Sequence, residues 1–446
     1  MKKLEVGQEL IVPVEGLTHD GKGVGRAWGS VVFIPQAVPG DLVKIRLKKI
    51  KKRISWGHLK EILIPSAQRR QPSCPHAAFC GGCQLQHLDY NAQLYWKKQR
   101  VKDALERIGK LEAPILPTIG MDNPWGYRNK ARFHFRSAAG EIRFGFFKKK
   151  THRLVQLEQC PIHHPSLIFL AKKLREASEK LQITAYDEKT GRGILKEAIL
   201  RVSFHQEKLM LILATAAAEI PRQESLIREL TSAVPQLVSI VQRRKKGKEA
   251  VRLLWGEPHL VDSIGPLEYL ISPSSFFQVN STQTKILYDE VLKRVSWHGG
   301  TVADLYCGAG TIGLYLAGRA KRVLGVEITA AAVEDAGSNA QLNKVENTEF
   351  AVGKAEDFLP FFCGKYGGLD YVILNPPRGG CSTVLLEKLV QSRTRNVIYV
   401  SCNPETFARD LGFLHKNGFI IGPVQPVDMF PWTAHVECVI KIQRVK

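Results

Sequence analysis

The sequence contains no apolar run of the roughly 20 residues that a helix needs to cross a bilayer. The closest approach, Leu209 to Ala218, ends at the charged residue Glu219. The N-terminus begins with Met1-Lys2-Lys3, but Glu5 and Glu9 follow, which does not match a signal peptide. We therefore expect neither a membrane span nor a signal peptide, and we expect a cytoplasmic protein.

Acidic residues are scarce in this chain. The 446 residues include 42 Asp and Glu against 64 Lys and Arg, which gives a formal net charge of +22. This surplus predicts a polyanionic partner, of which nucleic acid is the commonest, although a basic surface can also serve solubility alone. Charged residues make up 24% and hydrophobic residues 44%, so a wholly disordered chain and a coiled-coil rod are both excluded.

Disulfide bonds are not expected, because the nine cysteines occur without a secretory signal. A cluster with the spacing C-x5-C-G-G-C is followed much later by one more cysteine, in Gln159-Cys160-Pro161. Four thiolates can bind either zinc or an iron–sulfur cluster, and the nearby His76 and His87 would allow a mixed zinc site. The candidate ligands are Cys74, Cys80, Cys83 and Cys160.

The first of three regions, residues 1–66, is rich in β-strand patterns. Apolar and polar residues alternate, with breaks at 21–25 and 39–40, so we predict a small β-barrel. Between Lys44 and Lys60 there are six Lys, two Arg and no acid. One face of the barrel should therefore be cationic and attract phosphates, although a charged edge strand that resists aggregation is the alternative.

The second region, residues 67–275, holds the cysteine cluster, several strand candidates and a basic run from Arg243 to Lys246. A helix is predicted over 88–110, and it could pack on the third region.

In the third region, residues 276–446, helix and strand alternate, which predicts an α/β fold with a doubly wound parallel sheet. Its strands are expected at 301–305, 322–326, 371–374 and 396–400.

A tight glycine-rich turn follows the first strand of this sheet. The strand carries the acid Asp304 and leads through Gly308-Ala309-Gly310 into a helix, and glycine allows a ligand to approach the backbone closely. The second strand ends in Glu327, which can bind the two ribose hydroxyls of an adenosine. The third glycine typical of pyrophosphate binding is missing, so S-adenosylmethionine is favoured over a dinucleotide or a purely structural turn.

Two further strands end in residues that suit methyl transfer. One leads into Asn375-Pro376-Pro377-Arg378 and the other into Ser401-Cys402-Asn403-Pro404. The thiolate of Cys402 could add to C6 of a pyrimidine and make C5 nucleophilic, and the carboxylate of Glu437 could then remove the C5 proton. The alternative is that Cys402 is a small buried hydrophobe and Glu437 a solvated carboxylate.

Together these motifs resemble those of the RNA uracil-5-methyltransferases, in particular the 23S ribosomal RNA type with an N-terminal TRAM domain. The resemblance covers nearly the whole chain. It implies a Rossmann-like class I S-adenosylmethionine-dependent methyltransferase sheet, preceded by an OB-like TRAM barrel and a strand-rich central domain. The matching segments, in order, are Gly21 to Asp41, Phe276-Phe277-Gln278-Val279-Asn280, Asp304 to Gly310, Asn375 to Arg378, Ser401 to Pro404 and His435-Val436-Glu437.

The resemblance also implies roles for individual residues. Cys402 would be the nucleophile and Glu437 the proton-abstracting base, and the four cysteines would bind a 4Fe–4S cluster with a structural or RNA-binding role. Tyr127 to Lys130 resembles a segment that lies near the RNA. Contacts with S-adenosylmethionine or the target base would come from Gln278, Tyr306, Gly308, Glu327 and Asn375.

The implied partner is RNA. The TRAM domain and the cysteine cluster favour 23S rRNA over tRNA, and no obligate protein partner is evident, so a monomer is expected.

Three positions depart from the family pattern. Asn375 stands where Asp is usual, which keeps an acceptor oxygen but loses the charge. Trp432 stands where His is common, and Lys354 replaces a residue that often touches the cofactor, so we leave Lys354 out of the site.

Three other functions are weighed against rRNA methylation. A tRNA uridine C5 methyltransferase fits the same catalytic residues, and the change at Asn375 is compatible with a catalytically impaired RNA-binding protein. Methylation of an exocyclic amine is disfavoured, because Arg378 takes the position of the aromatic residue that stacks on the flipped base, and Cys402 would have no role. A methyl-transfer assay on total RNA separates the enzymes from the binding protein.

Overall fold

The computed structural model describes residues 4–138, 141–149, 151–245, 249–296, 299–392 and 394–445. In these ranges the chain forms a closed five-stranded barrel, a seven-stranded sheet, a two-stranded hairpin and an eight-stranded sheet. The predicted order of a barrel, a strand-rich region and an α/β sheet is confirmed. Within the described ranges, no helix is both long and apolar enough to cross a membrane.

The barrel closes in the strand order β1-β2-β3-β5-β4. On β4, Val43, Ile45 and Leu47 are fully buried and alternate with cationic residues that point outward, as the sequence predicted. The break predicted at 21–25 is confirmed at Gly21 and Lys22, but strand β2 already begins at Gly23. Glycine is required at Gly25 because a side chain there would collide with Val12 of β1. The strands are β1 (Glu9–Leu17), β2 (Gly23–Ala27), β3 (Ser30–Ile34), β4 (Leu42–Lys51) and β5 (Ile54–Ile64).

The central sheet has the order β12-β11-β10-β9-β6-β7-β8, with one parallel pair, β10 and β11. Helices α2 and α3 cover one face and share a buried apolar cluster with it. Lys246 of the predicted basic run lies outside the described residues. The elements are β6 (Lys130–Ala138), β7 (Glu141–Phe147), β8 (Leu154–Gln156), α2 (Pro165–Lys180), β9 (Leu195–Val202), β10 (Leu209–Thr215), α3 (Gln223–Ala233), β11 (Leu237–Lys245), β12 (Glu249–Gly256) and the hairpin β13 (Leu260–Ile264) and β14 (Leu267–Ile271).

The third sheet has five parallel strands, β17-β16-β15-β18-β19, followed by the antiparallel strand β22, which also pairs with β20 and β21. Its central strands are buried on both faces, as parallel strands between helices require. The elements are α4 (Ser281–Lys293), β15 (Thr301–Leu305), α5 (Thr311–Ala317), β16 (Arg322–Glu327), α6 (Ala330–Leu342), β17 (Thr348–Val352), α7 (Ala355–Tyr366), β18 (Tyr371–Leu374), α8 (Thr383–Gln391), β19 (Asn396–Ser401), α9 (Pro404–Lys416), β20 (Phe419–Ile421), β21 (Gln425–Val427) and β22 (Glu437–Arg444).

The helix predicted over 88–110 joins the second region to this sheet. It runs as α1 (Tyr90–Ala104) and continues into a π-helical turn, Leu105–Gly109. Val101 belongs to the same buried cluster as Phe407 of α9. Arg100 forms two hydrogen bonds to Glu405 through one guanidinium nitrogen and donates a third through Nε, which fixes α1 across the start of α9.

Candidate active site

The two candidate catalytic residues lie side by side in the eight-stranded sheet, where the parallel strands have their carboxyl ends. Strand β19 ends at Ser401, which pairs with Cys438 of the antiparallel strand β22. The next residues along this ladder are Cys402 on one strand and Glu437 on the other. The antiparallel strand β22 therefore brings together a thiol and a carboxyl group that are distant in sequence.

Burial governs the ionisation of this pair. Glu437 is 4% exposed, and burial raises the pKa of its carboxyl group to about 7, while the charge of Arg378 acts in the opposite direction. Cys402 is half-buried. Burial and the neighbouring Glu437 raise the pKa of its thiol, and Arg378 lowers that pKa by its charge and a hydrogen bond. A carboxyl group with a pKa near 7 can accept and release a proton at neutral pH.

Arg378 completes this group, although the sequence pattern assigned it no role. Its backbone carbonyl accepts hydrogen bonds from Asn403 Nδ2 at 2.8 Å and from Thr406 Oγ1 at 3.2 Å. The turn that carries Arg378 is thereby fixed to the start of α9, directly after Cys402. A guanidinium beside a thiol favours the thiolate form. The signal that could have identified Arg378 is its place directly after the Asn-Pro-Pro turn at the end of a central strand.

The turn after β15 has the backbone conformation that its glycines predicted. Gly308 and Gly310 have φ angles of +55° and +77°. A Cβ atom at Gly308 would meet no atom within 4 Å, so this side of the turn is open to a ligand. Tyr306 has a φ of +94°, which is rare for a bulky residue, and its ring packs against the core beside Cys381. Backbone strain of this kind occurs at ligand-binding turns.

Two carboxyl groups stand at the ends of β15 and β16. The Oδ2 atom of Asp304 accepts a hydrogen bond from the Gly313 backbone at 3.0 Å, and its buried Oδ1 atom has no partner in the described part of the chain. Burial raises the pKa of Asp304 to about 7. Glu327 accepts a hydrogen bond from the Thr329 backbone at 3.0 Å. A carboxylate at the end of β16, such as Glu327, suits the ribose hydroxyls of S-adenosylmethionine.

Asn375 and Gln278, two further candidate residues, come from different segments of the chain. Asn375 follows β18, the neighbour of β15, so it lies at the same edge of the sheet as Gly308. Gln278 lies in the segment before α4, and its backbone carbonyl accepts a hydrogen bond from Asn129 Nδ2 at 2.9 Å. The same nitrogen donates to Ser281 Oγ at 2.9 Å. The central sheet is therefore hydrogen-bonded to the segment that carries Gln278.

The loop that leads to Glu437 is held by three contacts. Trp432 is 1% exposed and stacks on Trp125, with ring centroids 4.2 Å apart, and its carbonyl accepts from the Gln84 backbone at 3.1 Å. Lys97 of α1 forms a buried ion pair with Asp428. Removing one partner of a buried ion pair costs about 3–5 kcal/mol, so this loop is strongly fixed. Trp432 is thus a packing residue, and its hydrogen bond to Gln84 connects the loop to the segment that directly follows Cys83.

The four candidate metal ligands line one cavity of about 270 Å³, together with the apolar side chains of Phe146 and Leu157. All four are free thiols, and burial raises the pKa of Cys83 to about 11 and that of Cys160 to about 12. In the part of the chain that the structure describes, no three His, Cys, Asp or Glu side chains converge closely enough to bind one metal ion.

Comparison with protein families gives two matches. A family described as tRNA (uracil-5-)-methyltransferase matches residues 89–445, which is most of the chain. The TRAM domain family matches residues 3–60, the part that forms the closed barrel. The first match includes Cys402, Glu437 and the glycine-rich turn.

The chain also resembles individual proteins over nearly its full length. It is 41% identical over 440 residues to an uncharacterised RNA methyltransferase of Halalkalibacterium halodurans, covering 97% of this chain and 96% of the relative. It is 40% identical over 451 residues to one of Bacillus cereus, covering 99% and 98%. The solved structure of the Pyrococcus abyssi tRNA (uracil-54, C5)-methyltransferase in complex with S-adenosyl-L-homocysteine superposes with a TM-score of 0.77 and 29% identity, covering 97% of this chain and 99% of the other.

Proposed function

Because the chain belongs to the tRNA (uracil-5-)-methyltransferase family, we propose that it methylates C5 of one specific uridine in RNA through a covalent bond between Cys402 and C6 of the base. One observation supports this above all others. The register of β19 and β22 sets a thiol and a buried carboxyl group next to each other at the sheet edge that carries the glycine-rich turn.

The residues divide the chemistry between them. S-adenosylmethionine would supply an electrophilic methyl group and would leave as S-adenosylhomocysteine, which keeps the electron pair of the broken S–CH3 bond. The uridine is flipped out of its stack, and the Cys402 thiolate forms a bond to C6. The π electrons of the C5–C6 bond move toward the C4 carbonyl, and the resulting enolate is nucleophilic at C5. After C5 has taken up the methyl group, Glu437 removes the C5 proton. The electron pair of that C–H bond restores the C5–C6 double bond and expels the Cys402 thiolate.

The preferred target is a uridine of 23S rRNA, and a tRNA uridine is the second candidate. The motifs resemble the rRNA type, but the superposed tRNA enzyme covers 97% of this chain and so includes most of the barrel at residues 3–60. A TRAM barrel alone therefore does not separate rRNA enzymes from tRNA enzymes, contrary to the expectation from the sequence.

Mapping of 5-methyluridine in a strain that lacks this protein tests the target. We expect 5-methyluridine to disappear from one position of 23S rRNA and to return when the gene is restored. Loss from tRNA alone would move the assignment to the second candidate. Unchanged 5-methyluridine in both RNAs, together with no methyl transfer to total RNA in vitro, would contradict the proposed function and support an RNA-binding protein.

We further propose that the four cysteines bind a 4Fe–4S cluster with a structural role. The support is that four thiols line one cavity next to the segment that is hydrogen-bonded to Trp432. Anaerobically purified wild-type protein should contain iron and acid-labile sulfide, and Cys83→Ser should lose both and unfold at a lower temperature. The control Cys363→Ser, on α7, should keep both. Iron-free wild-type protein with full activity and unchanged thermal stability would contradict the proposal.

A further inference from the structure

A groove of about 730 Å³ lies on the face of the central sheet opposite α2 and α3. On β6, Phe133 and Phe135 point into the apolar cluster under the helices, so the alternate residues Arg132, His134 and Arg136 point to the other face, where they line the groove. We call this feature the sheet groove. Sequence periodicity alone did not indicate it, because its walls come from several strands and from His152.

Stacked rings form one wall of the sheet groove. His134 stacks on Phe147 with ring centroids 3.9 Å apart and an interplanar angle of 12°. His152 stacks on the same phenyl ring at 5.2 Å, and its side chain is 80% exposed. Arg136 lies over Phe147 at 5.4 Å. Partly exposed aromatic and guanidinium planes of this kind are the surfaces on which unpaired bases stack.

Cationic side chains outnumber acidic ones in the sheet groove. Its lining includes three Arg and one Lys against two Glu, with both His taken as neutral. Glu188 pairs with Arg136 at 2.6 Å, whereas the Arg132 side chain is 54% exposed and approaches Glu197 only to 3.5 Å, so Arg132 is the cation most open to a phosphate. Stacking planes beside surplus positive charge match a nucleotide, which combines a planar base with a phosphate, better than a neutral or apolar ligand.

The start of β6 links the sheet groove to the segment that carries Gln278. Asn129, which is hydrogen-bonded to the Gln278 carbonyl, immediately precedes β6, and three residues further along the same strand Arg132 lies in the groove, roughly 10 Å away at strand spacing. Between them Lys130 faces Arg132 and Arg243. Burial and these guanidinium groups lower the pKa of Lys130 to about 7, so Arg132 and Arg243 carry most of the positive charge at this end of the groove.

We propose that the sheet groove binds an unpaired nucleotide of the RNA substrate other than the methylated uridine, with its base against the Phe147–His134 stack and a phosphate at Arg132 and Arg136. This inference rests on the proposed function for the identity of the RNA. It gives the central sheet a role in selecting substrates that carry a single-stranded segment near the target, as loops and bulges of folded RNA do.

Binding of a labelled single-stranded oligouridine of about 12 nucleotides and of an RNA duplex of equal length tests the inference. Phe147→Ala should weaken binding of the single strand about 10-fold, which corresponds to one lost stacking contact, and should leave duplex binding unchanged. Arg132→Gln should reduce the slope of log K against log salt by about 0.7, as expected for one phosphate contact with a single strand. With total RNA from the deletion strain, Phe147→Ala should raise KM and leave kcat unchanged.

Matched controls lie on α2, which covers the other face of the same sheet. Phe169→Ala and Arg175→Gln remove a partly exposed ring and a cation there and should change none of these values. Arg132→Gln, at an exposed position, keeps the test valid if Phe147→Ala fails to fold. Wild-type affinity for the single strand in both groove variants would overturn the inference even if methylation is normal. Failure of methylation with a persistent groove effect would overturn the proposed function instead.

Discussion

Replacement of Cys402 by alanine is expected to lower the rate of methyl transfer by a factor on the order of 10⁴ or more. Without the thiolate, no bond forms to C6, and C5 of the uracil ring keeps the low nucleophilicity of an ordinary vinylic carbon. The measurement is transfer of a labelled methyl group to total RNA from a strain that lacks the protein, after denaturation of the enzyme. Binding of RNA should change little, because the substitution removes only one half-buried sulfur atom.

The matched control for this experiment is Cys363→Ala, which removes a half-buried cysteine from α7, away from the sheet edge that carries Cys402. It should methylate RNA at nearly the wild-type rate. A Cys402→Ala enzyme that forms methylated product as fast as the wild type would refute nucleophilic catalysis by this residue. It would instead indicate direct methyl transfer to C5 without a covalent bond to Cys402.

Replacement of Glu437 by glutamine is expected to trap the covalent protein–RNA adduct. The amide is nearly the same size as the carboxyl group but cannot take the C5 proton, so the methylated base stays attached to Cys402. In the presence of S-adenosylmethionine and RNA, up to one RNA per enzyme should run with the protein on a denaturing gel. Turnover should fall by a factor on the order of 10³ or more, since breakdown of the adduct becomes rate-limiting.

Protonation of Glu437 in the wild type should prolong the lifetime of the adduct, as the glutamine substitution does. Burial raises the pKa of Glu437 to about 7, so the carboxyl group is mostly protonated below that pH and cannot act as a base. The lifetime of the wild-type adduct, measured by rapid quenching, should lengthen about 10-fold per pH unit as pH falls below about 7. In Glu437→Gln the lifetime should not depend on pH in this range.

Glu349→Gln is the control for the second prediction, because it removes a half-exposed carboxylate from the edge strand β17 of the same sheet. It should form no lasting adduct. An adduct that is as short-lived in Glu437→Gln as in the wild type would show that another group removes the proton, and the assignment of Glu437 as the base would then be wrong.

The sequence predicted the fold well where the pattern was local and strong. Strand β15 was predicted with its bounds as observed, and the helix over 88–110 was found as α1 and its π-helical turn. The break predicted at 21–25 was wrong for its last three residues, which belong to β2. Gly25 is required there because β1 passes too close for a side chain, and such a contact between strands is not visible in one segment of sequence.

The candidate site was predictable only in part, for a similar physical reason. Motifs at strand ends identified Cys402, Asn375 and the turn at Gly308, because parallel strands bring their carboxyl ends to one edge. The proximity of Arg378 to the thiol and the anchoring of Trp432 depend on contacts between distant segments. The sheet groove was missed because its residues alternate along β6 with core residues and resemble an ordinary solvated face.

Peptide mapping of the trapped adduct tests the central claim most directly. Glu437→Gln protein is incubated with RNA and S-adenosylmethionine, digested with nuclease and trypsin, and analysed by mass spectrometry. The tryptic peptide spanning 396–409 contains a single cysteine, Cys402. If Cys402 is the nucleophile, this peptide carries one nucleotide with the added mass of a methyl group. Methylated RNA in the same mixture with an unmodified 396–409 peptide, or a nucleotide on any other residue, would contradict it.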